Sequence, residues 1–357
     1  MVAAVLAVLA ALPSVVAALP ADDGDTGAAA LRQQVLDSAG VAFSGYAIST
    51  GGLTLPVSDT LTPVADLLSD QTTMRAWYRG TDDWRVDVVT PTGETGTHRD
   101  ATGTWTWEYA DQAATRGDDV DLALPTAPDL LPSALGRRLL SEAADAEVTR
   151  TAPARVAGRD TLGLRYTPDD DAAAVTAVDL WVEPDTGLAL RVVVRSADTA
   201  TPALDTRFLD LSTEAPDAAT TRFVPPAGTD VRRAPDLAEL VAGRDDDDSR
   251  VRLPGSLAGL QQRGVEGVPE SVGVYGSGIT VLAVSLLPRR AAEGLRTQLA
   301  ASPDAVVDEL GVRIAAGPLG LMVVDVPRGP DWLLAGTVTT DALAAAAAEL
   351  PRTGGRA

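Results

Sequence analysis

Four short runs alternate apolar and polar residues, and they hold five of the chain's six tryptophans: residues 74–79 (MRAWYR), 84–89 (WRVDVV), 104–109 (TWTWEY) and 178–183 (VDLWVE). In a strand, side chains at i, i+2 and i+4 share one face. Trp105, Trp107 and Tyr109 therefore project together, with Thr106 and Glu108 opposite. Aromatics are only 4% of residues, so their concentration in strand-like runs is informative. A chain built this way presents a curved apolar sheet face.

The breaks between runs carry turn chemistry. They include Gly80 to Asp83, Pro91 to Gly93, Asp100 to Gly103 and Gly117 to Asp119. Short strands at near-regular spacing between residues 74 and 124 predict an antiparallel meander. Residues 28–39 read as a helix with a stop at Gly40, followed by a strand over 41–50 and a further alternation over 53–57. Residues 128–144 interrupt the strands. Leu130, Leu131, Leu135, Leu139 and Leu140 fall on one helical face there, with Arg137 and Arg138 outside. One amphipathic helix between two sets of strands suits the mouth of a sheet. Strands resume from residue 146 to residue 211, with a tight turn over 183–187, and Pro225-Pro226 ends the set.

At 357 residues the chain is long enough for two domains. Residues 1–21 are uncharged and mostly apolar, which predicts a signal peptide or membrane anchor and export from the cytoplasm. Residues 22–30 read as a linker and residues 31–233 as the larger domain. Residues 234–255 contain Asp245 to Asp248 in succession and read as an acidic linker. A calcium site is the alternative, but the spaced ligands and glycine of a known calcium loop are missing. Residues 256–357 read as a small α+β domain, with strands near 272–287, 312–315, 320–326 and 333–338 and helices over 289–300 and 341–350.

The formal charge is −21, and arginine supplies every basic residue among the 29. Such a chain repels nucleic-acid phosphates, so no nucleic-acid partner is expected. A protein partner would present exposed Arg or Lys. With no cysteine, disulfides, thiolate catalysis and Cys-ligated zinc are excluded. The single histidine, His98, has no partner for a triad or zinc site and reads as an exposed turn residue. Gly276-Ser-Gly278 lacks the spacing and lysine of a phosphate loop. No catalytic residue, metal site or cofactor is expected.

The candidate ligand-binding residues are apolar: Trp77, Trp105, Trp107, Tyr109 and Trp181 on strands, and Leu131, Leu135 and Leu139 on the helix. Two readings stand side by side. The tryptophans are core residues between sheet and helix, or the sheet is too curved to be filled by its own side chains. In the second case the gap beneath the helix holds an acyl chain or similar ligand.

Residues 74–89 and 100–109 resemble the LolA/LolB lipoprotein-carrier superfamily, in which an aromatic strand and a polar-Gly turn precede a W-x-Y-like strand. Residues 180–191 (LWVEPDTGLALR) and 208–229 are similar to that superfamily's second signature. Tyr275 to Val284 and Leu334 to Thr339 further resemble the two-domain RseB/MucB regulators of extracytoplasmic sigma factors, in their actinobacterial form. The resemblance implies a LolA-like antiparallel half-barrel with a helical lid, then a small α+β domain. It also implies no enzyme activity, and binding of a lipid or of a membrane-bound anti-sigma factor or other envelope protein. No partner-contact residue is carried over. An envelope carrier of LolA type and a structural envelope module without ligand are the alternatives.

Overall fold

The computed structural model describes residues 21–52, 71–90, 93–117, 126–197, 199–234, 252–265, 272–326 and 331–351. The apolar segment 1–20, the alternation at 53–57 and the acidic run 245–248 lie outside the described residues.

The chain is mostly β. Its first sheet contains β1 (Phe43–Gly51), β2 (Gln71–Gly80), β3 (Asp83–Thr90), β4 (Gly93–Asp100), β5 (Gly103–Glu108) and β6 (Ala113–Gly117). It continues with β7 (Val148–Val156), β8 (Arg159–Tyr166), β9 (Val175–Val182), β10 (Ala189–Ser196), β11 (Leu204–Ser212) and β12 (Asp230–Arg233). These 12 strands are ordered β12-β6-β5-β4-β3-β2-β1-β11-β10-β9-β8-β7. The two meanders join where β1 pairs with β11. Pairing is antiparallel except at one edge, where β12 runs parallel to β6. That pair joins residues more than a hundred positions apart, and the local pattern did not announce it.

Helices α1 (Ala28–Asp37) and α2 (Pro132–Leu140) pack on one face of this sheet. The helix expected over 128–144 is shorter and divided. A 3-10 turn, Ala127–Leu130, is capped by Thr126 and Asp129, and Pro132 then opens α2 at its first position. Proline suits that position because its missing N–H would have no helical partner there. Gly136 brings α2 close to the sheet, because a Cβ there would lie 2.8 Å from the Ala189 Cβ and 3.2 Å from Leu180 Cδ2.

The sheet curves round this helix. β2 and β9 are four strand spacings apart, ~19 Å if the sheet were flat, whereas a helix is about 10–12 Å across. Yet α2 lays Arg137 over the Tyr78 ring of β2 and packs Gly136 on Leu180 of β9. One buried cluster accordingly runs from Phe43, Met74 and Val86 through Leu131 and Leu140 to Leu164, Leu180 and Val192. Losing a fully buried leucine such as Leu140 from such a core costs about 2–5 kcal/mol. The expected tight turn is present at Glu183 to Leu188. Gly187 has φ +71°, and a Cβ there would stand 2.2 Å from the Gln34 carbonyl oxygen of α1. This close approach and this φ both require glycine.

The second sheet has 8 strands, ordered β13-β14-β15-β16-β20-β19-β18-β17. They are β13 (Ser256–Leu257), β14 (Leu260–Arg263), β15 (Val272–Ser277), β16 (Thr280–Leu287), β17 (Val306–Asp308), β18 (Gly311–Ala316), β19 (Leu319–Val324) and β20 (Asp331–Gly336). Period-2 alternation divides its faces. Met322 and Val324 pack with Leu343 and Ala346 of α5 (Thr340–Glu349), while Val323 between them packs with Ala292 and Leu299 of α4 (Arg289–Ala300).

The two sheets meet through named contacts. Ala173 and Val338 form a β-bridge, flanked by Ala174 N–H donating to Thr337 (3.0 Å) and Thr339 N–H donating to Ala172 (2.9 Å). Ile279 enters the core of the first sheet. Glu142 accepts from the Gly278 N–H (2.6 Å) and pairs with Arg263 (3.0 Å).

Candidate functional site

A cavity of about 190 Å³ lies between β2, β3 and the segment carrying α2. Its wall includes Phe43, Ala76, Tyr78, Trp84 and Val86 from the strands. Leu131, Ser133, Ala134 and Arg137 close it from the helical side. Cross-strand register explains the strand side. Ala76 opposes Val86 and Tyr78 opposes Trp84 across the β2–β3 ladder, so all four share the face that α2 covers.

The expected ligand residues divide between the two faces of the sheet. Leu131 is buried and lines the cavity. Leu135 and Leu139 are partly buried and pack against the same core without lining the cavity. Trp77 belongs to the same wall, but alternation turns its ring to the opposite face, where the Arg85 guanidinium lies 5.1 Å from the ring centre. Trp105, Trp107 and Tyr109 occupy that opposite face too. Trp105 lies opposite His98 in the β4–β5 ladder, and the Trp107 and Tyr109 rings meet edge to face at 5.9 Å. Trp181 is on β9, with Arg191 stacked on it at 4.9 Å.

The opposite face is capped by the chain after β11. The helical turn α3 (Ala218–Thr221) leads into Phe223, whose ring stands 4.9 Å from His98, 5.8 Å from Trp105 and 5.9 Å from Trp107. His98 is not an exposed turn residue. It lies within β4 at 4% exposure, and its Nδ1–H donates to the Thr221 carbonyl at 2.9 Å. Burial pushes its pKa below the ordinary value, the bond to Thr221 opposes that, and Arg85 pushes the same way as burial. His98 is therefore a neutral packing residue at pH 7. Beside it, Asp87 is buried and held by two bonds from Arg85, at 2.8 and 2.7 Å.

Charge on the cavity side is handled differently. Arg137, expected on the outside of the helix, turns inward and is half-buried, while Arg138 is exposed. Its guanidinium lies 5.7 Å from the Tyr78 ring centre, within cation–π range. Burial lowers its pKa, and Tyr78 opposes the change. Burial likewise raises the Tyr78 pKa, with Arg137 opposing, and the Tyr78 hydroxyl donates to the Ala39 carbonyl at 2.7 Å. Among the described residues, no cluster of three or more His, Cys, Asp or Glu could hold a metal ion. No described helix is long and apolar enough to cross a membrane.

Phe43, Ala76, Tyr78, Trp84, Ser133 and Arg137 are among the wall residues that hydrophobic patterning does not single out. Gly136 was the available signal. A glycine inside a short helix marks the side that approaches another backbone; Ser133 precedes it by three residues on that side, and Arg137 stands four residues after Ser133.

No family model matches the chain, and no curated protein matches it in sequence. Solved structures do match. MucB in the MucA/MucB complex of Pseudomonas aeruginosa is similar at a TM-score of 0.50 and 18% identity, over 90% of this chain and 96% of that one. The chain has the MucB fold. MucB in complex with MucA(peri) is matched at a TM-score of 0.49 and 18% identity, over 89% of this chain and 95% of that one. A LolA-superfamily protein of Nitrosomonas europaea is matched at 0.29 and 10% identity, over 56% of this chain and 98% of that one. At these identities the likeness to MucB is one of fold. It covers both sheets, in agreement with the resemblance of the sequence to the two-domain RseB/MucB type.

Proposed function

We propose that this chain is an extracytoplasmic regulator of the RseB/MucB type, and that it binds rather than catalyses. Its first domain takes an acyl chain, from a lipid or a lipoprotein, into the cavity beneath α2. Its two-domain body holds the extracytoplasmic part of a membrane-bound anti-sigma factor, and ligand binding alters that grip and so the activity of an extracytoplasmic sigma factor. The observation that carries this reading is the shared order of both domains with MucB, a protein solved in complex with MucA, over nine-tenths of the chain. The apolar wall of the cavity supports the ligand half of the reading. The net charge of −21 favours a partner segment bearing Arg or Lys. In this reading residues 1–21 export the chain or anchor it to the outer face of the membrane, and α2 serves as the lid.

The test is native mass spectrometry of the chain from Asp22 onward, purified gently from its own host, with lipid extraction and cross-linking in intact cells. The expected result is an acyl-bearing adduct that Leu131→Asp removes without unfolding the protein, and a cross-link to a single-span membrane protein. A clean apo mass that no added lipid shifts would defeat the ligand half. Absence of any membrane-protein cross-link would defeat the regulatory half.

A further inference from the structure

Helix α2 buries an unexpected side. Its fully buried positions include Ser133, Gly136 and Leu140, whereas Leu135 and Leu139 are only partly buried. Ser133 and Arg137 are separated by one helical turn, so they share the side that faces the cavity, and both line it. Ser133 is 1% exposed, yet its Oγ has no hydrogen-bond partner among the described residues. Nη1 of Arg137 is buried and has none either. A buried polar atom without a partner is costly, and a buried guanidinium N–H more so. Two such donors, adjacent on one helix and lining one cavity, mark the place where an acceptor is missing.

The other charged groups of the wall do not fill that role. Arg85 is engaged by Asp87 through both of its carboxylate oxygens. Asp129 is held by the Thr126 N–H (2.8 Å) and hydroxyl (2.9 Å), which fixes its carboxylate as a helix cap. The Tyr78 hydroxyl donates elsewhere. The free donors therefore belong to Ser133 and Arg137.

We infer that the cavity takes its ligand headgroup-first, and that the headgroup is a single carboxylate held by Arg137 Nη1 and Ser133 Oγ, as in a fatty-acid-like anion. This deepens the acyl-binding reading above and rests on it. Guanidinium and hydroxyl together match the acceptor-only chemistry of a carboxylate. The size agrees. The cavity, about 190 Å³, is only slightly larger than the roughly 150 Å³ space that holds one benzene ring. It has room for a small headgroup and the first carbons of one chain. The Asp129 carboxylate in the same wall disfavours a dianion. Phe43, Ala76 and Leu131 then surround the first methylenes.

The experiment titrates the chain from Asp22 onward with decanoate, decanol and decyl phosphate, read by the fluorescence of Trp84 in the cavity wall and by native mass spectrometry. Decanoate is expected to bind about tenfold or more tighter than decanol. Arg137→Gln brings decanoate to the level of decanol and leaves decanol unchanged, with the fold checked by circular dichroism. Ser133→Ala removes one oxygen and lowers decanoate affinity alone, which serves if Arg137→Gln does not fold. Equal binding of decanoate and decanol, with neither variant changing it, overturns the carboxylate site and leaves the acyl cavity standing. Tighter binding of decyl phosphate than of decanoate overturns the assignment of a monoanion. Failure of all three probes to bind overturns the acyl-cavity reading itself.

Discussion

Filling the cavity from the sheet side separates ligand binding from folding, and Ala76→Leu is the substitution for it. Ala76 is 1% exposed and its methyl group is part of the wall. Leucine adds three carbons. At about 0.8 kcal/mol per buried carbon, complete accommodation contributes about 2.4 kcal/mol. Contacts with Phe43 and Leu131 and loss of rotamer freedom take back part of this, so the net expectation is a gain of about 1–2 kcal/mol. The assay is urea unfolding followed by tryptophan fluorescence, which reports mainly the first domain because five of the six tryptophans lie there. The midpoint should rise at constant slope. Affinity for an acyl probe should fall about tenfold or more, since chain and leucine compete for one space. A variant that is stabilised yet binds the probe as the wild type does would falsify the placement of the ligand. A loss of more than about 1 kcal/mol would show that the space is not free to be filled.

Three further perturbations test the frame around the cavity. Gly136→Ala gains about 0.8–1.0 kcal/mol of helix propensity, but its methyl group would meet the Ala189 Cβ at 2.8 Å. A net loss of about 1–2 kcal/mol is expected in urea unfolding, and a more stable variant would mean that α2 does not press on β10. His98 has a folded pKa below its unfolded value of 6.5. Within that window the unfolded chain holds more protons, so stability is complete above it and is lost as pH falls. Thermal midpoints should decline as pH falls below the unfolded value of 6.5, and His98→Phe should flatten that part of the profile; an equal slope in both proteins removes His98 as the cause. Glu142→Ala deletes the pairing with Arg263 and the bond from Gly278 N–H. It should speed amide exchange at Gly278 with a stability loss of no more than about 1–2 kcal/mol. Unchanged exchange would assign the domain contact to Ile279 and the Ala173–Val338 bridge alone.

Most strands and helices were legible because their signals are local. Alternation placed β2, β3, β5 and β9, helical spacing gave the helix over Arg289–Ala300, and Gly187 sits where the turn chemistry put it. The face of the sheet was not legible. Period 2 says which residues share a face but not which face is inside, and here both are covered. Helix α2 covers Met74, Ala76 and Tyr78, while Phe223 covers Trp105 and Trp107. Trp77, Trp105 and Trp107, the most conspicuous rings of the pattern, lie on the face away from the cavity. Helix α2 carries the same ambiguity. Its leucines form an obvious stripe, but the space beneath the helix is set by Gly136, and a helix pressed so close can bury only what lies beside that glycine. That rotation carries Ser133 and Arg137 inward at an energetic cost that no local signal records. A leucine facing the same space would bury apolar surface at no polar cost. The protein instead keeps two donors there without partners, and a ligand acceptor is what would recover that cost.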